Sequence, residues 1–336
     1  MSAEVHVASP GAQMPGSTAG ATRRSEPFVR ATEVWTLDPA TDRLTLASAY
    51  HGDMTGFAEA SDRESFGEGE GLPGRAWKFR EPVMLKGFKG SYFKRTEAAE
   101  SEGLTVGLAI PVFSHGDELK GVVVLLCGDD AEHVGAIELW HGGTEPSDTM
   151  GLVDGYFGTA QHFEWISRRT RFPRGMGLPG QVWASGRPML MHDLGNSRRF
   201  IRSESADRAG LTLGLGLPVA SNGPGTSVLT LLSARGTPIA RRFEVWSVLD
   251  RIWLKFSDGV CEMEGTPSGH AAEMLIRDGD CLLKRVAATG VPEVVADLSE
   301  STDILERAAA RAGFRSLVAI PIHGPDGLSD VVAWYF

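Results

Sequence analysis

The chain is poor in the features that would make its chemistry easy to assign. It has three cysteines in 336 residues, Cys127, Cys261 and Cys281. The number is odd, and no pair is spaced as a zinc knuckle or a C-x-x-C redox pair. A disulfide framework is therefore excluded, and a reduced protein in the cytoplasm is expected. No apolar run approaches the roughly 20 residues of a membrane span. The N-terminus lacks the hydrophobic core of a signal peptide, and Arg23-Arg24 is followed by Ser-Glu-Pro rather than by an apolar stretch, which argues against a twin-arginine signal. Basic charge is in deficit: 33 Lys+Arg against 43 Asp+Glu, a net charge of −10. That balance excludes a general electrostatic grip on nucleic acid or anionic lipid, though not a local basic patch, so neither is expected as a partner. No G-x-S-x-G nucleophile elbow occurs, and no enzymatic activity is expected.

What the chain does have is glycine, proline and repetition. Its 41 glycines and 18 prolines exclude a helical bundle, and 42% hydrophobic with 23% charged residues is ordinary globular composition. Residues 1–26 are small and polar and read as a disordered tail. Three prolines then sit in similar apolar settings, GLAIPVF at Pro111, GLGLPVA at Pro218 and LVAIPIH at Pro321. Eight residues before each stands a glycine, Gly103, Gly210 and Gly313, preceded by an alanine-rich stretch. Earlier prolines, Pro82, Pro188 and Pro292, and a tryptophan-bearing opening strand at Trp35, Trp140 and Trp246 complete the set. Five marks recur in one order at nearly constant spacing, so the units are 27–129, 130–235 and 236–336. A period of about 105 residues is too long for a solenoid and suits a small domain with its own core.

Within the first unit, EVWTLD and RLTLASAYHG alternate apolar and polar residues across the turn DPATD and predict a hairpin. A short helical stretch follows. GLPGRAW leads into a second helical piece, PVMLKGF into a strand, and FKRTEAAESEG into a helix ended at Gly103. LTVGLAIPVF and GVVVLLC form a closing hairpin. The expected fold is α+β, an antiparallel sheet flanked by short helices.

These residues carry a resemblance. G-x-G-L-P-G-x-x-W, then P-[VM]-x-[LM], then F-x-R-x-x-x-A-x-x-x-G-L and G-L-x-[IL]-P-V resemble the GAF domain. Gly69, Gly71, Pro73, Gly74, Trp77, Phe93, Arg95, Ala99 and Pro111 bear the pattern in unit one. Gly175, Gly177, Pro179, Gly180, Trp183, Phe200, Arg202, Ala206 and Pro218 bear it in unit two. Unit three keeps only the strand, helix and AIPI portions. It has LLKRVAA where the others have GLPGRAW and GLPGQVW, so it reads as a degenerate copy with different local geometry that has lost its ligand. The resemblance implies an intracellular small-molecule sensor or a dimerisation module. It also implies that the bilin-anchoring cysteine of phytochrome-type members falls at Lys94, Ile201 and Ile304, so no covalent bilin is expected; the cofactor is otherwise unknown. A few members reduce methionine sulfoxide with cysteines, which the single cysteine of unit one and the absence of any in unit two argue against.

Sharper motifs are weighed against plainer readings. Gly69-x-Gly71-x-x-Gly74 and its copy at Gly175 match a dinucleotide fingerprint, but no buried parallel strand precedes them and Glu68 and Glu70 would face a pyrophosphate; a glycine-rich turn into a short helix is expected. The Phe-x-x-x-Glu pairs Phe93–Glu97 and Phe200–Glu204, with Asn196, touch a cyclic-nucleotide signature whose Asp-Glu pair is missing. His133 and His141 with Glu132 and Glu138 lack convergent zinc geometry. His192-Asp193 is half of a relay without a nucleophile, and Asp193 reads as a loop-forming residue. Asp278-Gly279-Asp280 lacks further calcium ligands.

The function expected is thus that of a non-enzymatic regulatory protein. It would bind an unidentified small molecule and act in trans on a signalling partner, because no output segment follows unit three; the alternative is an interaction scaffold whose pockets are filled by their own side chains. Candidate ligand-binding residues are Met84, Phe88, Phe93 and Glu97 in unit one and Met191, Asp193, Phe200 and Glu204 in unit two, apolar walls with orienting carboxylates. Trp77 and Trp183 are expected as largely buried core anchors. Sheets, not helices, should govern how the units meet, across a polar linker CGDDAEHVG on the surface. The unmatched faces at the two ends of the row are candidates for a homodimer contact.

Overall fold

The computed structural model describes residues 27–114, 117–128, 135–144, 147–234, 236–249, 253–263, 274–277, 281–324 and 326–336. The N-terminal tail, the centre of the first linker with Glu132 and His133, and Asp278–Asp280 lie outside them.

Unit one runs β1 (Val29–Asp38), β2 (Arg43–Tyr50), α1 (Thr55–Asp62), β3 (Ser65–Phe66), α2 (Gly71–Phe79), β4 (Val83–Lys86), α3 (Thr96–Ser101), β5 (Leu104–Phe113) and β6 (Leu119–Gly128). Unit two repeats this as β7 (Gly135–Thr144), β8 (Ser147–Tyr156), α4 (Gln161–Arg169), β9 (Arg171–Pro173), α5 (Gly177–Ser185), β10 (Met189–His192), α6 (Ser203–Arg208), β11 (Leu211–Val219) and β12 (Thr226–Ala234). Unit three has β13 (Arg242–Leu249), β14 (Trp253–Cys261), β15 (Leu275–Ile276), α7 (Leu282–Thr289), β16 (Glu293–Val295), α8 (Ile304–Arg311), β17 (Leu317–Gly324) and β18 (Gly327–Tyr335). Each unit is one six-stranded antiparallel sheet, ordered β3-β2-β1-β6-β5-β4 in the first and equivalently in the others. This is the α+β fold expected. A bulge recurs beside each opening tryptophan, between Val34 and Trp35, Leu139 and Trp140, and Val245 and Trp246. It shifts the strand's pairing by one residue at the same place in all three units.

The central strands are apolar on both faces, and both faces are covered. Along β6, Val122, Val124 and Leu126 turn toward the helices of unit one, while Val123, Leu125 and Cys127 turn the other way. Those outward faces from all three sheets form one shared core, with Leu215, Leu229 and Leu231 from unit two and Val318, Val332 and Trp334 from unit three. The sheets do govern how the units meet, as expected.

They do not form a row. β5, β11 and β17 touch one another pairwise, so the units close into a ring about a pseudo-threefold axis. At one joint Lys86 Nζ lies 2.8 Å from Asp154 Oδ1. At the second Arg187 donates to Asp330 Oδ1 at 2.6 Å and to Ser247 Oγ at 2.6 Å. At the third Val294 N donates to Ser48 Oγ at 2.9 Å, and Tyr50 stacks on Phe336 with ring centroids 6.0 Å apart. The unmatched end faces of a row are therefore absent, because the third sheet packs against the first.

The glycine-rich segment is the turn expected. Gly71 and Gly177 open their helices with φ of 58° and 64°. A Cβ at Gly74 would lie 2.1 Å from the Gly67 carbonyl oxygen, so only glycine lets the helix sit this close to the preceding turn. β3, the strand before it, is antiparallel, which removes the dinucleotide reading. Glu70 instead accepts from Gly67 N and binds Lys94 and Arg43, which together hold its carboxyl at about 2. In unit three Cys281, which stands where Gly71 and Gly177 stand, precedes α7 in extended conformation with φ −82° instead of a left-handed one, so the local geometry differs as the sequence implies.

Trp77 and Trp183, expected as largely buried core anchors, are partly buried and pack against the edge of the helix-side cores rather than at their centres. On α2 the side chains at Leu72 and Ala76 face the sheet, and Trp77, one residue on, is turned to its edge. Trp35, Trp140, Trp246 and Trp334 are the tryptophans fully buried.

Candidate functional site

Each opening strand carries a glutamate two residues before its tryptophan: Glu33, Glu138 and Glu244. Residues two apart share a strand face, and this face is toward the helices, so all three carboxylates are fully buried beneath them. Each accepts a hydrogen bond from its tryptophan Nε1, at 3.0, 3.2 and 2.9 Å.

In unit one Arg95, at the start of α3, reaches down into this space. Its guanidinium makes a forked pair with Glu33, with Nη2 to Oε2 at 2.9 Å, and also donates to Ser61. Ser61 Oγ donates to Glu33 Oε1 at 2.8 Å, and His51 Nε2 lies 3.0 Å from the same oxygen. Phe57, Phe93 and Trp35 surround the cation at 4.7, 5.2 and 5.4 Å from their ring centroids. Burial by itself would raise the Glu33 carboxyl. The Arg95 charge and the His51 and Arg95 hydrogen bonds outweigh it and hold the carboxyl well below the usual carboxylate range. Unit two repeats the arrangement: Arg202 pairs with Glu138 and Ser167, Thr230 Oγ1 donates to Glu138 Oε2 at 2.9 Å, and Phe163 and Phe200 flank the cation.

Unit three departs from this. Leu305 stands where Arg95 and Arg202 stand, and Glu244 is held from its own sheet. Arg242, two residues earlier on β13, pairs with it, and Tyr335 Oη donates to it at 2.9 Å. Burial, then the nearby Glu244 charge, push the Tyr335 phenol well above its ordinary range, so it stays a donor. With no arginine descending from the helix, a cavity of about 100 Å³ remains above Glu244. Leu305, Ala309, Leu283 and Leu317 form its apolar walls, and Arg242, Tyr335 and Glu306 are its polar points. Glu306 is itself buried, accepting from Leu282 N and Ser301 Oγ, each at 2.7 Å.

The eight ligand-binding candidates do not share one lining. Phe88 and Phe93 are brought together, stacked with centroids 4.0 Å apart beneath Arg95. Phe200 takes the place of Phe93 beside Arg202, and Met191 packs into the same helix-side core. Met84 faces the shared core on the opposite side of its sheet. It is equivalent to Leu190, not to Met191, and one residue along a strand changes the face. Glu97 is exposed on α3, and Glu204 is exposed and paired with Arg208 at 2.5 Å. Asp193, with φ 50°, is a turn residue whose side chain accepts from Asn196. The inward arginines stand in the F-x-R of the domain pattern, and the buried glutamates carry a signal of their own, E-x-W in every unit, which would have pointed to them as the arginines' partners.

His141 Nδ1 lies 3.0 Å from Ser227 Oγ. Among the described residues no group of His, Cys, Asp and Glu is arranged to hold a metal ion, and no helix is long and apolar enough to cross a membrane. Burial raises all three cysteine thiols above their ordinary range, Cys127 the furthest.

No family model and no curated protein matches the chain. Solved structures do. A free methionine-R-sulfoxide reductase from Neisseria meningitidis, in complex with its substrate, is 23% identical over 31% of this chain and 53% of its own, with a TM-score of 0.23. An NreA protein from Staphylococcus aureus, mutated in its nitrate-binding site, is 17% identical over 32% of this chain and 80% of its own, with a TM-score of 0.26. The GAF domain of an Acinetobacter phosphoenolpyruvate-protein phosphotransferase is 22% identical over 30% of this chain and 54% of its own, with a TM-score of 0.23. The chain thus spans about half the length of the first and third of these. Each of the three units is an antiparallel six-stranded sheet with a few short helices, a GAF-like α+β fold.

Proposed function

We propose that the protein is a non-enzymatic small-molecule sensor in which units one and two are structural and unit three is the responsive one. The observation that carries this is the exchange of Arg95 and Arg202 for Leu305. Arginine, serine and phenylalanine side chains fill the space over Glu33 and Glu138, whereas about 100 Å³ remains open over Glu244. This assigns the ligand to the unit that the sequence marks as degenerate. A cavity of about 150 Å³ takes a benzene molecule, so this one suits a ligand smaller than benzene, mainly apolar, with one group for Tyr335 or Arg242 to bind. The raised thiols support a non-catalytic reading, since nucleophilic cysteines need a lowered pKa. The effect of binding would be passed through the shared core and read by a partner in trans.

Native mass spectrometry of the chain purified from its own host tests this against Ala309→Phe, which fills the cavity. A small adduct on the wild type that is lost from the variant is expected. An adduct that survives the substitution, or none on either protein, refutes the assignment.

A further inference from the structure

Closure of the ring creates a second cavity that no single unit possesses. It lies on the pseudo-threefold axis, has a volume of about 250 Å³, and is walled by residues 110–113, 217–220 and 320–323 of β5, β11 and β17. The three strands reach the axis as free edges. β4 pairs with β5 only as far as Ala109, β10 with β11 as far as Gly216, and β16 with β17 as far as Ala319. Two residues beyond each of these points stands one of the repeated prolines, Pro111, Pro218 and Pro321. Proline has no N–H, so each free edge loses a donor that would otherwise be left unpaired or would recruit another strand. The prolines that define the repeat therefore give the axis an apolar wall.

Polar groups lie at the mouth: Arg80, Asp117, Ser221 and His323. Arg80 occupies the left-handed position that ends α2, with φ 56°. Its equivalents are glycines, Gly186 at φ 65° and Gly290 at φ 68°. Unit one thus accepts a conformation unfavourable to a side chain where its copies use glycine. The side chain so placed lies over the Phe113 ring at 4.1 Å and donates to Asp117 Oδ1 at 2.8 Å. Asp117 is also left-handed, at φ 66°, and its side chain is 87% exposed. An ion pair this exposed contributes little and exchanges readily for another carboxylate.

We propose that the axial cavity binds a small organic acid, its apolar body among the prolines and its carboxylate on Arg80 in place of Asp117. The volume exceeds what benzene needs by several atoms, which suits a monocyclic aromatic acid with a short side arm. An arginine–carboxylate fork supplies the directional contact. The site is distinct from the cavity above Glu244, and the two can be tested apart.

The test is calorimetric titration of the full chain with 3-phenylpropanoate, using 3-phenylpropanol as the uncharged control. One site per chain with a Kd below about 1 mM is expected, and at least about tenfold weaker binding of the alcohol. Arg80→Ala should weaken the acid about tenfold. Asp117→Ala, a change confined to the exposed turn after β5, should tighten it several-fold by removing the competing carboxylate. Ala220→Trp, which plugs the axis, should abolish binding, while Ala309→Phe in unit three should leave it unchanged. The proposal is overturned by an absence of saturable binding, by binding that Asp117→Ala does not strengthen, or by binding lost in Ala309→Phe and kept in Ala220→Trp.

Discussion

Replacing Arg95 by leucine makes unit one imitate unit three at the position where the units differ most in buried chemistry. In the wild type, Glu33 is completely buried and ionised, and the guanidinium is its only neighbouring fixed positive charge among the groups that bind it; Ser61, Trp35 and His51 supply the remaining contacts. Removing one member of a buried pair leaves the other as an uncompensated charge, at a cost of about 3–5 kcal/mol. With a urea dependence of about 1–3 kcal/mol per molar, the unfolding midpoint at pH 7 should fall by roughly 1–5 M. Tryptophan fluorescence is a suitable probe, since the Trp35 ring lies 5.4 Å from the arginine.

The pH dependence should change sign. In the wild type the Glu33 carboxyl is depressed, so it binds fewer protons folded than unfolded at acid pH. Its contribution is present above the ordinary unfolded value of about 4.3 and is lost as pH falls. Without Arg95, burial, the largest single influence, is opposed only by the His51, Ser61 and Trp35 contacts and raises the carboxyl above its unfolded value. The variant should then lose stability as pH rises from about 4.5 to 7, and its deficit should shrink on acidification. A rescue follows from unit three, where Arg242 and Tyr335 hold the glutamate. Their equivalents are Ala31 and Leu126, which lie directly opposite each other on β1 and β6, as Arg242 and Tyr335 do on β13 and β18. The triple variant Ala31→Arg, Leu126→Tyr, Arg95→Leu should recover about half or more of the loss. An Arg95→Leu protein within about 1 kcal/mol of wild type at pH 7, or one whose deficit grows in acid, refutes the reasoning.

Trp35→Ala should cost about 3–5 kcal/mol in chemical denaturation, and Trp77→Ala clearly less, because the first ring is wholly buried and the second lies at a helix edge. Arg187→Ala should destabilise by about 2–3 kcal/mol, since it strands Asp330, which is 1% exposed, whereas Lys86→Ala at the first joint should cost less than about 1 kcal/mol and lose its effect in high salt. Gly74→Ala should give little folded protein by circular dichroism, while Gly56→Ala in α1, where a Cβ would meet nothing within 4 Å, should raise the melting temperature.

The repeats, the α+β fold and the glycine turn were legible because each depends on local pattern. Trp35, Gly103 and Pro111 mark a bulge, a helix end and a free strand edge wherever they fall. The buried pairs were not legible in the same way. Arg95 sits in FKRTEAAESEG, where every neighbouring charge is solvated, and only the packing of α3 on the sheet brings it to Glu33, which lies 62 residues away in sequence. Met84 and Met191 were both expected as ligand-binding residues, but they stand one residue apart in equivalent strands, which is a change of face. Phe88 and Phe93, expected as apolar walls, stack on each other beside the arginine rather than stand apart around a space.

The ring was the least visible feature, although its signature was present. GVVVLLC has no polar residue to turn toward water, so this strand needs cover on both faces, and the short helices of one unit cover only one. Three sheets that each bring such a face can satisfy all of them together only by closing, since a row leaves the first and last uncovered. A closed ring of identical subunits would repeat one joint three times. Here the chain supplies all three units, and each joint has acquired its own chemistry: an exposed Lys86–Asp154 pair, a half-buried Arg187–Asp330–Ser247 cluster, and a Val294–Ser48 hydrogen bond beside the Tyr50–Phe336 stack. The same divergence runs inward. Two units keep the descending arginine and one gives it up, and one unit alone places Arg80 at the mouth of the axis. Fusing the copies into one chain allows this, because a substitution at one position no longer appears at the other two. Symmetry sets the scaffold and its shared core, and the departures from symmetry single out the two cavities.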